Sequence, residues 1–470
     1  MASKYTAEFI NEELIKQTLA QNAQITQDEF NAIMAKAETA AGLNMLEVAK
    51  LLNIEDDERL SQLYAAAHRV KERIYGKRIV IFAPLYISNY CVNKCQYCGY
   101  SCDSGIDRKK LNNEELINEV KSLEAMGHKR LALEVGEDLA NCDLDYILES
   151  IKTIYSIKFK NGSIRRINVN IAATTVERYR QLHAAEIGTY ILFQETYHRE
   201  TYAKVHVKGP KHDYDWHTTA FDRAMEAGIE DVGAGVLFGL YDYKFEVLGL
   251  MQHAEHLEQK YGCGPHTVSV PRLKPALGVD LATYPYMLSD EQFKKVIAII
   301  RLALPYVGLI LSTRESAQLR DEIIKYGVSQ ISAGSCTGVG GYSEHVSGEN
   351  TPKLNTAQFS VEDERSPDEV IYSLCKSGYI PSYCTACYRQ GRVGDRFMAL
   401  AKSGDIQNVC QPNALMTFQE YLCDYASEAT KAEGEKVIAE QVALIKNDNM
   451  RKLVLVQLEK IRQGKRDLYL

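Results

Sequence analysis

From Arg78 to about residue 335, short and nearly continuous apolar runs alternate with amphipathic stretches, eight times over. The runs are RIVIFAP from Arg78, RLALEVG from Arg130, RRINVNIAA from Arg165, TYILFQE from Thr189, DVGAGVLFG from Asp231, HTVSVPR from His266, VGLILST from Val307 and QISAGS from Gln330. Runs rich in β-branched residues without polar alternation are what parallel strands buried on both faces look like. The stretches between them carry helical spacing. In NNEELINEVKSLEAMG, Leu116, Ile117, Val120 and Leu123 form one stripe behind an Asn cap. Eight such units over about 270 residues predict an α/β fold of the (β/α)8 TIM type. An open doubly wound sheet is the competing arrangement. In the barrel, chemistry is expected at the C-terminal strand ends.

The flanks differ. Residues 1–76 read as a helical extension: TQDEFNAIMAKAETA opens on a Thr cap, and DERLSQLYAAAHRVKERIYG ends on Gly76. The barrel is expected over 77–350. From 351 to 470 a polar stretch, TPKLNTAQFSVEDERSPDE, precedes a helical tail with EKVIAEQVALI and MRKLVLVQLEKIRQ, expected as a C-terminal auxiliary domain. A net charge of -7 speaks against a nucleic-acid partner. The most apolar stretch, from Val296, is broken by Arg301 and Pro305, so no membrane association is expected. MASKYTAEFINEEL lacks a secretory apolar core. With twelve cysteines in tight clusters, metal ligation in a reducing, cytoplasmic setting is the expectation.

Directly after the first run, CVNKCQYC places Cys91, Cys95 and Cys98 in a CxxxCxxC triplet. Three thiolates so spaced can hold three irons of a 4Fe-4S cluster and leave the fourth open to a small molecule. Zinc sites pair two-residue-gap cysteines and need a fourth ligand, which this spacing does not supply. Near the other end, Cys384 and Cys387 form CxxC, and Cys410 follows after 22 residues. These three could hold a second iron–sulfur cluster, or zinc with an outside ligand. His253, His256, Cys263 and His266 fall within fourteen residues, which makes a separate zinc site conceivable.

The triplet, with Tyr97 before its third cysteine, resembles the signature of radical S-adenosylmethionine enzymes. The two cysteine sets, together with STRESAQLRDEI, SAGSCTGVGGY, GPHTVSVPRLKPA and DRFMALAKSG, resemble the FeFe-hydrogenase maturases of the tyrosine-lyase family across nearly the whole chain. The thiamine-pathway tyrosine lyase is the related enzyme without the second cluster domain. The resemblance implies that Cys91, Cys95 and Cys98 hold the radical-generating 4Fe-4S cluster, whose open iron chelates S-adenosyl-L-methionine for cleavage to a deoxyadenosyl radical. It implies an auxiliary 4Fe-4S cluster with an extra iron, held by Cys384, Cys387 and Cys410 with His266. It further implies scission of L-tyrosine to p-cresol and dehydroglycine, conversion of the latter to carbon monoxide and cyanide, and delivery to the H-cluster. An electron donor and other hydrogenase maturation proteins are the implied partners.

For the cofactor, the resemblance points to Gly136 and Glu137 in EVGED and to Glu195 in FQETYHRETY, with Tyr97 alongside and His217 or Arg223 against the methionine carboxylate. The run from Gly233 to Gly239 lacks GxGxxG spacing and reads as a glycine-rich strand rather than a nucleotide loop. For the tyrosine carboxylate, a planar guanidinium offers a two-point grip. Arg314 is the candidate, with Ser335 assisting and Arg272 and Arg320 as competitors. Two alternatives stand beside this reading: a thiamine-type lyase that stops at dehydroglycine, and a non-catalytic iron–sulfur scaffold.

Overall fold

A computed structural model of the chain describes residues 5–343 and 355–470. Its centre is a barrel of eight parallel strands: β1 (Arg78–Ser88), β2 (Arg130–Val135), β3 (Arg166–Asn170), β4 (Tyr190–Glu195), β5 (Val232–Val236), β6 (Thr267–Ser269), β7 (Gly308–Leu311) and β8 (Gln330–Ser332). Each strand pairs with the next, and β8 returns to β1 with Val80 opposite Gln330. That last ladder closes the sheet and excludes the open doubly wound form. Strands β5, β6, β7 and β8 are buried at every position, as their unbroken apolar runs require. All eight strands fall where the sequence expects them.

A ninth strand, β9 (Ile380–Ser382), joins from the C-terminal region. It lies parallel to the start of β1, with Arg78 opposite Ile380 and Val80 opposite Ser382. Further along, β1 pairs with β2 from Ala83 onward. The eleven residues of β1 therefore serve two neighbours in succession on one side. A run as short as IPS carries no periodic signal, so the sequence does not reveal it.

Before the barrel, four helices (Glu12–Gln21, Gln27–Glu38, Met45–Leu51, Asp57–Tyr75) pack around its flank. Thr26 closes a capping box with Glu29, and the last helix stops at Gly76, which has φ +62°. After the barrel, helices Pro367–Lys376, Gly394–Ser403, Ile406–Asp424, Glu428–Ala443 and Asp448–Arg462 assemble around the third of these, which is buried along most of its length. The boundary expected at residue 350 lies outside the described residues, as do the first residues of the polar stretch that follows it.

Candidate functional site: two cysteine sets at opposite mouths of one barrel

The loop after β1 is tied down on all sides. Val92 N donates to Glu137 O (2.8 Å), Gln96 N to Val205 O (2.9 Å) and Cys102 N to Asn93 O (2.9 Å). Lys94–Cys95 forms a short antiparallel ribbon with His206–Lys208. This folds Cys91, Cys95 and Cys98 onto the upper mouth of the barrel, where all three line a cavity of about 210 Å³. Polar hydrogens already approach their sulfurs. Tyr100 N lies 3.4 Å and Gln358 Nε2 3.7 Å from Cys98 Sγ, and Asn93 Nδ2 lies 3.7 Å from Cys91 Sγ. Donors aimed at sulfur fit thiolate ligation of a cluster. Burial pushes all three thiols up, Cys98 to about 11.

Around this triplet the same cavity gathers Tyr97, Gly136, Glu137, Glu195, His217, Arg314 and Ser335. Gly136 sits at a close approach of backbone: a Cβ there would come 2.3 Å from Tyr90 O. Glu137 receives Asn93 Nδ2 at 2.5 Å, and burial raises its pKa. The Tyr97 hydroxyl is engaged by His206 Nε2 at 2.8 Å, so its ring is what the cavity sees. Arg314 stacks on Phe359, 3.3 Å from the ring centroid. Among the described residues its guanidinium has no carboxylate partner, and burial lowers its pKa. The Ser335 hydroxyl is buried with no partner.

Of the two residues expected against the methionine carboxylate, the structure brings only His217 to the cavity. Arg223 is absent from the cavity wall. Its guanidinium donates to Thr174 O, Thr219 Oγ1 and Trp216 O and stacks on Trp216 at 3.7 Å, a packing role. His217 reaches the cavity, where burial first and Lys211 next hold its pKa well below the usual value, and its Nε2 is bonded to Phe193 O at 2.8 Å. Besides Arg314, the cavity holds a second cation, Lys211, which the sequence reading missed. Burial opposes its charge, but Glu195, 2.9 Å away, and the thiol of Cys95 outweigh that and raise its pKa. Glu195 itself takes φ +67° at the end of β4. A lysine in the three-residue 3-10 helix Pro210–His212 carries no periodic signal. The acid at Glu195 was the one available hint. Glu134 was also missed: burial pushes it to about 8 although Asn170 Nδ2 donates to it at 2.7 Å. Arg272 and Arg320 are committed elsewhere, to Glu315 with Asp290 and to Asp363.

At the lower mouth, β9 delivers Cys384 and Cys387, and helix Ile406–Asp424 delivers Cys410. Cys387 Sγ and Cys410 Sγ are 3.9 Å apart. With His266, Arg78, Arg130 and Arg392 they line a cavity of about 50 Å³. The hydrogen bond to Cys387, with Arg78 and Arg392, lowers the Cys410 thiol, and Cys387 is correspondingly raised. Three guanidinium groups around three cysteines make an electropositive pocket that fits an anionic thiolate cluster. Burial, with Arg130, Arg166 and Arg78, lowers the pKa of His266 against the pull of Asp231. The separate zinc site is not formed. Among the described residues no set of three such ligands converges on one ion. His253 bonds to Tyr197 and His256 to Asp222.

The two cavities stack along the barrel axis. Val80, Arg130, Gly308 and Gln330 line the lower one. Phe82, Ala132, Ile310 and Ser332, two residues further along the same strands, line the upper. The two sets of lining residues have none in common, yet they follow one another directly along the same strands.

The Radical SAM superfamily model matches residues 85–253, and the Biotin and Thiamin Synthesis associated domain matches 269–380. The 2-iminoacetate synthase of Escherichia coli is 32% identical over 352 residues, 74% of this chain and 89% of its own length. A crystal structure of HydG, a maturase of the FeFe-hydrogenase, superposes with a TM-score of 0.95 at 57% identity, covering 99% of this chain and 100% of that one. The chain belongs to the radical S-adenosylmethionine tyrosine-lyase family, on its FeFe-hydrogenase maturase branch. The maturase HydG from Carboxydothermus hydrogenoformans is similar at 41% identity and a TM-score of 0.82, over 97% of this chain and 100% of that one. The chain is thus a radical S-adenosylmethionine enzyme, and its family implies a 4Fe-4S cluster and S-adenosylmethionine. No described helix is long and apolar enough to cross a membrane.

Proposed function

We propose that this enzyme cleaves L-tyrosine to p-cresol and dehydroglycine and carries dehydroglycine on to carbon monoxide and cyanide for assembly of the hydrogenase H-cluster. The observation that supports this reading best is the pair of cysteine sets at opposite mouths of one barrel, each in its own cavity, stacked end to end. Cys91, Cys95 and Cys98 would hold the cluster that, with S-adenosylmethionine, supplies the radical chemistry. Cys384, Cys387 and Cys410, with His266, would hold the auxiliary cluster and its extra iron. Electrons come from a reducing donor, and the product passes to other maturation proteins.

The chain's own residues do the rest. Gly136 and Glu137 bind the amino group of the methionine moiety, and Glu195 its ribose. Lys211 neutralises the methionine carboxylate. Arg314, held flat on Phe359, grips the tyrosine carboxylate, and Ser335 supplies a hydrogen bond from its unpartnered hydroxyl. Phe82, Pro84, Ala132, Ile191, Leu192 and Ile310 give the upper cavity apolar walls that keep water from a reactive intermediate. Dehydroglycine would then pass along the barrel interior to the lower cavity.

The test is anaerobic reconstitution with iron and sulfide, then dithionite, S-adenosylmethionine and labelled tyrosine, with p-cresol, carbon monoxide and cyanide assayed together. Cys91→Ala is expected to abolish p-cresol. Cys384→Ser with Cys387→Ser is expected to keep some p-cresol and lose both diatomic products. Cresol without diatomic products from a fully loaded wild type would instead favour a lyase that stops at dehydroglycine.

A further inference from the structure

Asp231 is the residue before β5, and His266 the residue before β6. These strands pair in parallel with Gly233 opposite Thr267, and His266 N donates to Val232 O at 2.8 Å. On its other side, Gly308 N donates to His266 O at 2.9 Å. The backbone is thus fixed from both neighbours, and the two side chains leave the lower rim together. His266 Nδ1 lies 3.5 Å from Asp231 Oδ1. Phe397 covers the imidazole with ring centroids 4.2 Å apart. That phenylalanine sits on helix Gly394–Ser403, whose first amide donates to Asp231 Oδ1 at 3.0 Å. One carboxylate therefore touches both the imidazole and the helix that covers it.

Two atoms here are left over. Among the described residues, Asp231 Oδ2 and His266 Nδ1 are both buried without a hydrogen-bond partner. Each alone is an expensive group to bury unsatisfied, and one complements the other. The other oxygen of the same carboxylate, Oδ1, already stands 3.5 Å from Nδ1.

We propose that Asp231 is the positioning residue for His266: its carboxylate accepts the Nδ1 proton, fixes that tautomer and leaves the Nε2 lone pair for iron beside Cys384, Cys387 and Cys410. This rests on reading His266 as an iron ligand. A carboxylate behind a ligating histidine sets ring orientation and raises ligand basicity. The rival role is purely structural, with Asp231 serving only to anchor the Gly394 amide.

The experiment uses iron-free, full-length protein with ¹⁵N-labelled histidine, read by long-range ¹H–¹⁵N NMR, with His266→Gln assigning the resonance. The wild type is expected to carry its proton on Nδ1. Asp231→Ala is expected to move it to Nε2, exchanging the two nitrogen shifts, while Asp231→Asn keeps a carbonyl acceptor and part of the original tautomer. A wild-type proton on Nε2 would overturn the proposal, and needs no variant to fold. So would an unchanged tautomer in Asp231→Ala accompanied only by a lower melting temperature. After reconstitution, Asp231→Ala is expected to bind the extra iron about 10- to 100-fold more weakly while the auxiliary cluster stays filled. An iron content that ignores His266→Gln would defeat the proposal through the ligand assignment, whereas the NMR result tests the pairing itself.

Discussion

Glu134 gives the sharpest physical test of the upper cavity. Burial raises it to about 8 from an ordinary 4.5, in spite of Asn170 and the field of Arg314. The folded protein therefore holds this proton more tightly than the unfolded chain. Its stabilising contribution is complete below pH 4.5 and is lost as pH climbs toward and through 8. At pH 7 the unfolded chain is ionised here and the folded chain is largely not, which costs the fold about 3 kcal/mol. Glu134→Gln keeps the shape and has no proton to lose. Its stability relative to wild type should rise by about 3 kcal/mol between pH 5 and pH 8. Denaturation of the iron-free proteins at the two pH values measures that difference of differences. Infrared spectroscopy provides a direct check: wild type at pH 6 should show a protonated carboxyl band that the variant lacks. A stability gap that does not change with pH, or the absence of that band, would refute the view of this cavity as dry enough to hold a carboxyl neutral.

Three further outcomes are expected. Gly136→Ala must find room for a Cβ 2.3 Å from Tyr90 O, and should cost ~1–3 kcal/mol in thermal unfolding and weaken S-adenosylmethionine binding in equilibrium dialysis. Lys211→Met leaves the Glu195 carboxylate without its partner, a loss near the lower end of ~3–5 kcal/mol because the pair is not fully enclosed. Adding Glu195→Gln should restore the melting temperature but not the cofactor affinity, and full recovery of both would rule out the assigned role. Arg314→Lys exchanges a two-point grip for one and should raise the KM for tyrosine at least about tenfold with cofactor affinity unchanged.

The barrel was legible because parallel strands buried on both faces have a distinctive composition, and because eight of them leave few other architectures. The cysteine sets were legible because ligand spacing within a loop survives as spacing in sequence. What stayed hidden depends on contacts between distant segments. Lys211 meets Glu195 across a turn whose path no local pattern specifies. Arg223 looked like a free cation from its place on a helix, yet three oxygen acceptors and the Trp216 ring consume it. His217 has the right position, but burial pulls its pKa down, and burial is a property of the fold. β9 is too short to announce itself, although it brings the second cysteine set to the barrel.

That short strand also decides how the two ends of the molecule can move. β1 begins at Arg78, beside Cys410 and Cys384, and ends at Ser88, three residues before Cys91. At ~3.3 Å per residue it spans ~33 Å. It is hydrogen-bonded to β9 at one end and to β2 at the other, so both sites hang from a single rigid ruler. Swinging the C-terminal helices away as a lid would require unzipping part of the barrel's own sheet. Whatever passes between the sites must therefore do so at constant separation, through local rotation of side chains, and a crosslink that freezes the helices onto the barrel should leave that traffic intact.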